Sequence, residues 1–111
     1  MEITEKENGN ILVVSIAGRL TADCADQFKR HMNSALAAHD KIVLNLGGME
    51  YVDSTGLGAM VFILQKLSDE GGRLVLACLQ PKPRIVFNIT KAYKIFEIFD
   101  SVDAAIGAIN G

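Results

Sequence analysis

The sequence predicts an α/β fold, an N-terminal β-hairpin followed by alternating helices and strands. Asn8-Gly9 separates two strand-like runs, residues 3–7 and 11–17, and Asn-Gly in such a position is a strong hairpin signal. Beyond residue 20, helical apolar spacing alternates with short apolar runs, which implies right-handed crossovers and a largely parallel sheet. Residues 73–79 are nearly all apolar, as expected of an interior strand covered on both faces.

The other elements follow in chain order. The first helix is predicted from Thr21, a plausible N-cap, to about His39. Its apolar residues recur at helical spacing: Ala25, Phe28, Met32, Ala35 and Leu36. A third strand covers residues 41–46, and Pro81 and Pro83 open a short helix to about residue 90, since proline suits the first turn. With a fifth strand at 95–99 and a last helix capped by Ser101, we predict a five-stranded mixed sheet and four helices.

A further helix, residues 54–70, has the most regular pattern. Asp53, Ser54 and Thr55 are three candidate N-cap side chains in a row. Gly71 and Gly72 stand where a helix end needs a residue that tolerates positive φ. One apolar face is predicted, made of Leu57, Met60, Val61, Leu64 and Leu67.

Composition limits the possible functions. A chain of 111 residues that is 50% hydrophobic fits one domain, 1–111, which buries roughly two thirds of its unfolded surface. The net charge of −2, without a basic stripe, argues against nucleic acid or an anionic membrane as the main partner. No apolar stretch is long enough for direct membrane insertion, and the N-terminus lacks a signal-peptide pattern. We therefore expect a cytoplasmic protein.

The cysteines and histidines do not indicate a metal site. Cys24 falls in a helical pattern and Cys78 in the apolar strand 73–79, so both are predicted to be small buried hydrophobic residues. His31 and His39 lie eight residues apart on one predicted helix. Either could approach Ser54 only through tertiary packing, and both are expected to be ordinary helix histidines rather than a catalytic base.

The segment Asp53-Ser54-Thr55-Gly56-Leu57-Gly58, hereafter the 53–58 turn, places hydroxyl groups between a strand and a helix. Such a helix end can receive a negative group such as phosphate. Enzyme motifs are missing: Thr55 interrupts an Asp-Ser-Gly protease motif, Val52 replaces the glycine of a hydrolase elbow, and no Gly-Lys-Ser follows. We predict neither an enzyme nor a bound cofactor.

With Gly18-Arg19-Leu20 upstream and Asn88-Ile89-Thr90-Lys91 downstream, the 53–58 turn resembles the STAS domain of anti-sigma factor antagonists. The similarity covers nearly the whole chain, and the family arrangement also has five strands and four helices. In that family the first serine of the turn is phosphorylated by a kinase that also acts as an anti-sigma factor. The resemblance therefore implies that Ser54 is the phosphate acceptor here.

The expected partner surface surrounds this serine. Thr55 is predicted to be a capping or kinase-contacting neighbour, and Asp53 either caps the helix or orients the hydroxyl. Gly56 and Gly58 give the partner close backbone access or pack tightly on the sheet. The neighbouring apolar residues are Phe62 and Ile63 on the helix and Met49, Tyr51 and Val52 in the loop predicted before it. About half of these five are expected to be buried in the fold, and those that remain exposed would complete the surface.

The resemblance implies a partner-switching regulator. Unphosphorylated, it would bind an anti-sigma factor or serine kinase and so release a client, whereas phosphorylation of Ser54 would end that binding and a serine phosphatase would restore it. Two alternatives are a STAS subunit of a membrane transporter or multiprotein signalling assembly, and an enzyme of unrecognised type.

Overall fold

A computed structural model describes residues 1–111 and begins with the predicted hairpin. Strands β1 (Glu2–Asn8) and β2 (Ile11–Leu20) are antiparallel, and Asn8 lies opposite Ile11. The loop therefore consists of Gly9 and Asn10, one position later than the Asn8-Gly9 pair. Gly9 has a φ of 63°, a conformation that glycine adopts without steric conflict.

The rest of the chain alternates helices and strands. In order these are α1 (Ala25–Ala38), β3 (Lys41–Val52), α2 (Ser54–Asp69), β4 (Arg73–Ala77), α3 (Pro81–Thr90), a 3₁₀ turn (Ala92–Lys94), β5 (Ile98–Phe99) and α4 (Val102–Asn110). The five strands form one sheet in the order β1-β2-β3-β4-β5, with β2 to β5 parallel. The predicted fold class, a mixed five-stranded sheet with four helices, is confirmed.

The helices cover the two faces of the sheet unequally. The larger core cluster joins one side of the strands to residues of the first three helices, including Phe28, Met60 and Phe87. The smaller cluster joins the other side, through Val43 and Val75, to α4. Strands β2 to β5 are neighbours in the sheet in the same order as in the chain. Right-handed crossovers between them therefore place all three connecting helices on the same face.

Several strand limits differ from the predicted ones. β3 extends six residues beyond residue 46, and β2 extends three beyond residue 17, because Arg19 and Leu20 pair with Tyr51 and Val52 after two irregularities in register. β4 ends at Ala77, since Cys78 turns away with a φ of 63°. β5 begins at Ile98 rather than residue 95, because the 3₁₀ turn occupies residues just before it.

The N-cap prediction for Thr21 was wrong, and the burial predicted for the two cysteines is only partial. Cys24, not Thr21, is the N-cap of α1, and it makes no side-chain capping bond; Thr21 instead begins a turn in which its carbonyl accepts from the Cys24 N–H at 3.0 Å. Both cysteines lie just outside a helix or strand and are half-buried rather than fully buried. Cys24 packs against the larger core cluster and Cys78 against the smaller one.

The α2 helix buries a slightly different face from the predicted one. Leu57, Met60 and Leu67 are buried as expected, but Ala59 and Ile63 are buried with them, while Val61 and Leu64 are only half-buried at the edge. The helix ends as predicted at the glycine pair. Gly71 has a φ of 82°, and the Gly72 N–H donates to the Leu67 carbonyl at 2.8 Å, which satisfies a terminal carbonyl of the helix.

None of the four helices combines the length and apolar character needed to cross a bilayer. No three side chains of His, Cys, Asp or Glu are grouped so that they could hold a metal ion.

Candidate functional site

Asp53 anchors the 53–58 turn at the carboxyl end of β3. One carboxylate oxygen accepts from the Gly56 N–H at 2.7 Å, which caps α2, and the other accepts from the Ala22 N–H at 3.0 Å. The Asp53 N–H in turn donates to the Leu20 carbonyl at 3.2 Å. Since both carboxylate oxygens bind backbone N–H groups, the geometry supports the capping role that the sequence left open. The turn is thereby fixed to the end of β2.

The two glycines of the turn have different surroundings. A Cβ atom on Gly56 would overlap the backbone carbonyl of Leu20, whereas a Cβ atom on Gly58 would meet nothing within 4 Å. Gly56 is buried and Gly58 is exposed. Gly56 therefore serves close packing of α2 on β2, and only Gly58 presents bare backbone at the surface.

Ser54 and Thr55 are both exposed in the first turn of α2. No histidine lies beside them: His31 Nε2 is 3.4 Å from Glu5 Oε2, and His39 Nε2 is 3.2 Å from Glu7 Oε1, so both rings contact β1. A serine hydroxyl is a weak nucleophile unless a neighbouring base activates it. The arrangement suits a hydroxyl that receives a group from a separate enzyme.

A shallow groove of about 290 Å³ runs beside Ser54 and is called the Ser54 groove below. Its α2 side consists of Ser54, Leu57, Gly58 and Val61, and its other side of Thr90, Lys91, Ala92 and Ile95. The second side was not predicted to be part of the site. The only available signal was the Asn88 to Lys91 block, which gave no indication of spatial proximity to Ser54.

The apolar residues expected near Ser54 divide between core and surface. Met49 is 1% exposed and Val52 and Ile63 are 0% exposed, so their side chains belong to the core. Met49 and Val52 lie in β3, not in a loop, and cannot offer side chains to a partner. Phe62 is 47% exposed, and Tyr51 is half-buried.

Tyr51 and Phe62 each have a cation over the ring. The Arg19 guanidinium carbon is 4.6 Å from the centre of the Tyr51 ring, and Lys29 Nζ is 5.3 Å from that of Phe62. Such contacts help fix aromatic side chains at a surface.

A second group of exposed apolar side chains was also missed. It lies on α3 and in the residues after it: Ile85, Ile89, Tyr93 and Ile95. Ile89 is the most open, at 76% exposure. The helix buries only Pro83 and Phe87, so a helical projection of this short segment could have revealed its uncovered apolar residues.

A family model described as the STAS domain matches residues 2–105. The chain belongs to the STAS family. BtrV of Bordetella bronchiseptica, provisionally named an anti-sigma factor antagonist, is 28% identical over 109 residues, covering 97% of this STAS protein and 94% of BtrV. The anti-sigma-B factor antagonist of Bacillus subtilis is 28% identical over 98 residues, covering 88% and 90%. The resemblance seen in the sequence is confirmed.

Solved structures show the same STAS fold. A Thermotoga maritima protein, provisionally named an anti-sigma factor antagonist, has a TM-score of 0.92 at 26% identity, covering 98% of this chain and 95% of that one. The phosphorylated form of the Bacillus cell fate determinant SpoIIAA has a TM-score of 0.75 at 20% identity, covering 97% and 99%. The second likeness establishes the fold alone.

Proposed function

We propose that this STAS protein is an anti-sigma factor antagonist controlled by phosphorylation of Ser54. The observation that supports it most is an exposed Ser54 beside a largely apolar groove, on a turn that Asp53 anchors through two hydrogen bonds. Relatives that match nearly the whole chain carry the name anti-sigma factor antagonist.

In the unphosphorylated form, the surface around Ser54 would bind a cytoplasmic anti-sigma factor that is also a serine kinase. Its exposed or half-buried part comprises Tyr51, Ser54, Thr55, Gly58 and Phe62. Asp53 and Gly56 support this surface through the capping bond and close packing. Exposed aromatic rings and bare backbone suit a protein interface, where a partner can approach closely.

Phosphorylation would end the binding. The γ-phosphorus of ATP forms a bond to Ser54 Oγ as its bond to ADP breaks, and the hydroxyl proton passes to a base of the kinase. The product carries about −1.5 to −2 additional charges in the contact surface. A loss of about 3 kcal/mol would weaken binding roughly a hundredfold. A serine phosphatase would reverse the modification by hydrolysis, so this chain itself needs no catalytic activity.

The test begins with a pull-down from lysate of the source organism, coupled to intact-mass measurement of the bait. We expect an anti-sigma kinase to be captured and, with ATP, to add about 80 Da, the net gain when one phosphoryl group replaces a hydroxyl hydrogen, to wild type but not to Ser54→Ala. Equal modification of the Ser54→Ala protein would assign the phosphate to Thr55 or elsewhere. Capture of a transporter subunit without modification would instead favour the structural-subunit alternative.

Calorimetry with the purified kinase then examines the contact. Ser54→Ala should bind about as tightly as wild type, while Ser54→Glu should bind more weakly because only that variant places charge in the surface. Phosphorylated wild type is the control for imperfect mimicry by glutamate. If even the phosphorylated protein retained full affinity, Ser54 would lie outside the interface.

A further inference from the structure

Lys91 has an unusual backbone conformation for its residue type. It joins α3 to the 3₁₀ turn with φ 61° and ψ 23°, the left-handed region. A helix end of this kind normally carries glycine, because a side chain there meets steric conflict. Apart from Cys78, no other residue with a side chain has positive φ. An outlier of this kind points to a reason for having the lysine side chain at this position.

Lys91 lines the Ser54 groove. Lys91 is the one charged residue among the groove's eight lining residues, and Ser54 lines the same space from the α2 side. The structure's three ion pairs involve His31, His39 and Arg73, so no carboxylate neutralises Lys91. The groove is otherwise apolar, apart from the two hydroxyl residues Ser54 and Thr90.

The surrounding segment carries an excess of positive charge. Between Gly71 and Phe96 there is no Asp or Glu, although the whole chain has thirteen acidic and eleven basic residues. The basic residues in that interval are Arg73, Lys82, Arg84, Lys91 and Lys94. Arg73 is paired with Glu97 just beyond the interval, so the unpaired positive charges are the other four. A partner that covers this part of the molecule gains from carrying carboxylates opposite the lysines.

We propose that Lys91 binds an Asp or Glu carboxylate on an apolar segment of the anti-sigma partner, and that phosphorylated Ser54 competes for the same lysine. This inference rests on the proposed function and names the partner's chemistry. An apolar segment fits because Leu57, Val61, Ala92 and Ile95 line the groove. The phosphate would then act in two ways, by repelling the partner's carboxylate and by occupying its cation.

The proposed contact between phosphorylated Ser54 and Lys91 can be tested without any partner. Protein made with phosphoserine at position 54 is titrated by ³¹P NMR, with and without Lys91→Met. The second phosphate pKa, ordinarily about 6, should be lower with Lys91 present than in Lys91→Met by about half a pH unit, because a nearby cation favours the dianion. Asp53 is the neighbouring acidic group, and it is unchanged in both proteins.

Lys94→Met is the matched control. Lys94 has the same charge, lies three residues away and is not part of the groove lining. Both lysines are exposed, but only Lys91 lines the groove with Ser54. Lys94→Met should therefore leave the phosphate pKa within about 0.1 of that of the protein with both lysines, because solvent and salt screen a charge outside the groove. Equal pKa values for the Lys91→Met and Lys94→Met proteins would overturn the internal contact.

The proposed contact between Lys91 and the partner is tested by measuring how tightly the purified anti-sigma kinase binds the unphosphorylated protein. Lys91→Met should weaken binding about tenfold, Lys91→Arg less, and Lys94→Met less than about threefold, as is typical of exposed charges. Equal losses for Lys91→Met and Lys94→Met would mean general charge attraction and would overturn a specific carboxylate contact. The proposal would also be overturned if Lys91→Met weakened binding to anionic vesicles or nucleic acid but not to the kinase.

Lys91→Gly is a control that separates loss of the lysine side chain from loss of stability. Glycine suits φ 61° better than lysine does, so this variant should unfold at an equal or higher urea concentration while binding as weakly as Lys91→Met. Full affinity in Lys91→Gly overturns the proposal. If the Lys91 variants switch like wild type, this inference alone fails; if wild type neither binds a kinase nor accepts phosphate, the proposed function fails first.

Discussion

In the 53–58 turn some residues stabilise the site, and others are exposed where a partner could contact them. Asp53 uses both carboxylate oxygens to hold α2 and the β2–α1 connection together. Gly56 allows α2 to lie directly on Leu20, and Ser54 and Gly58 remain open to solvent. Neighbouring positions in one short motif therefore have separate physical requirements.

Alanine substitutions at the two glycines should separate these requirements. Gly58→Ala has space for the methyl group and should stabilise α2 by up to about 1 kcal/mol, because alanine loses less backbone entropy in a helix. If the partner contacts the bare backbone, binding should nevertheless weaken roughly tenfold, a loss that corresponds to about 1.4 kcal/mol. Urea unfolding and calorimetry measure the two effects.

Gly56→Ala is the matched comparison. Its Cβ atom would meet backbone that cannot swing aside, so a loss of about 1–3 kcal/mol in the free energy of unfolding is expected. Unchanged kinase affinity in Gly58→Ala would show that the partner stays clear of α2 at this point, and unchanged stability in Gly56→Ala would contradict the packing argument.

At the scale of elements, local sequence patterns predicted the order of helices and strands but not where the strands end. The extra length of β3 depends on pairing of Tyr51 and Val52 with Arg19 and Leu20, a contact between distant residues that leaves no local periodic signal. The 53–58 turn could be found because capping residues and glycines are local requirements. The groove could not, because Lys91 reaches it only through the packing of α3.

The β4 strand is linked to the segment before β5 by an ion pair. Arg73 Nε and Nη2 donate to the two oxygens of Glu97 at 2.9 and 2.6 Å, and these bonds hold the pKa of Glu97 below its ordinary value. A lowered carboxyl pKa adds stability above the unfolded pKa, and that stability is lost as pH falls through the folded pKa. The pair is partly exposed, so solvent screening keeps its contribution small.

Glu97→Gln measures that contribution. Near pH 7 it should lower the free energy of unfolding by a few tenths to about 1 kcal/mol, and the difference from wild type should shrink as pH falls below about 4.3. Chemical unfolding at a series of pH values provides the comparison. A difference that stays constant from neutral to strongly acidic pH would mean that the ion pair is not its source.

At the scale of the whole molecule, the surface around Ser54 lies on the side of the sheet that α1, α2 and α3 cover. The core beneath it is continuous across these three helices and the sheet. A group added to Ser54 meets solvent and the groove, not the core. The proposed switch is therefore a change of surface charge on a fold that stays intact.

Phosphorylation should then leave stability nearly unchanged or slightly higher. A helix N-terminus stabilises a nearby anion by typically about 0.3 to 1 kcal/mol. Urea midpoints and amide NMR spectra of the two forms can be compared directly. Shifts that reach β4, or a loss of more than about 2 kcal/mol, which is large for a single change, would replace local occlusion with a conformational mechanism.

The two edge strands of the sheet determine whether a partner could bind by adding a strand to it. β1 is largely solvent-exposed and carries Glu2, Glu5, Lys6 and Glu7, and β5 at the opposite border is only two residues long. Charged and very short border strands discourage the addition of a foreign strand. Association by extending the sheet is thus disfavoured at either end. The proposed exchange of partners would then depend on side chains around Ser54, where one phosphate could control it.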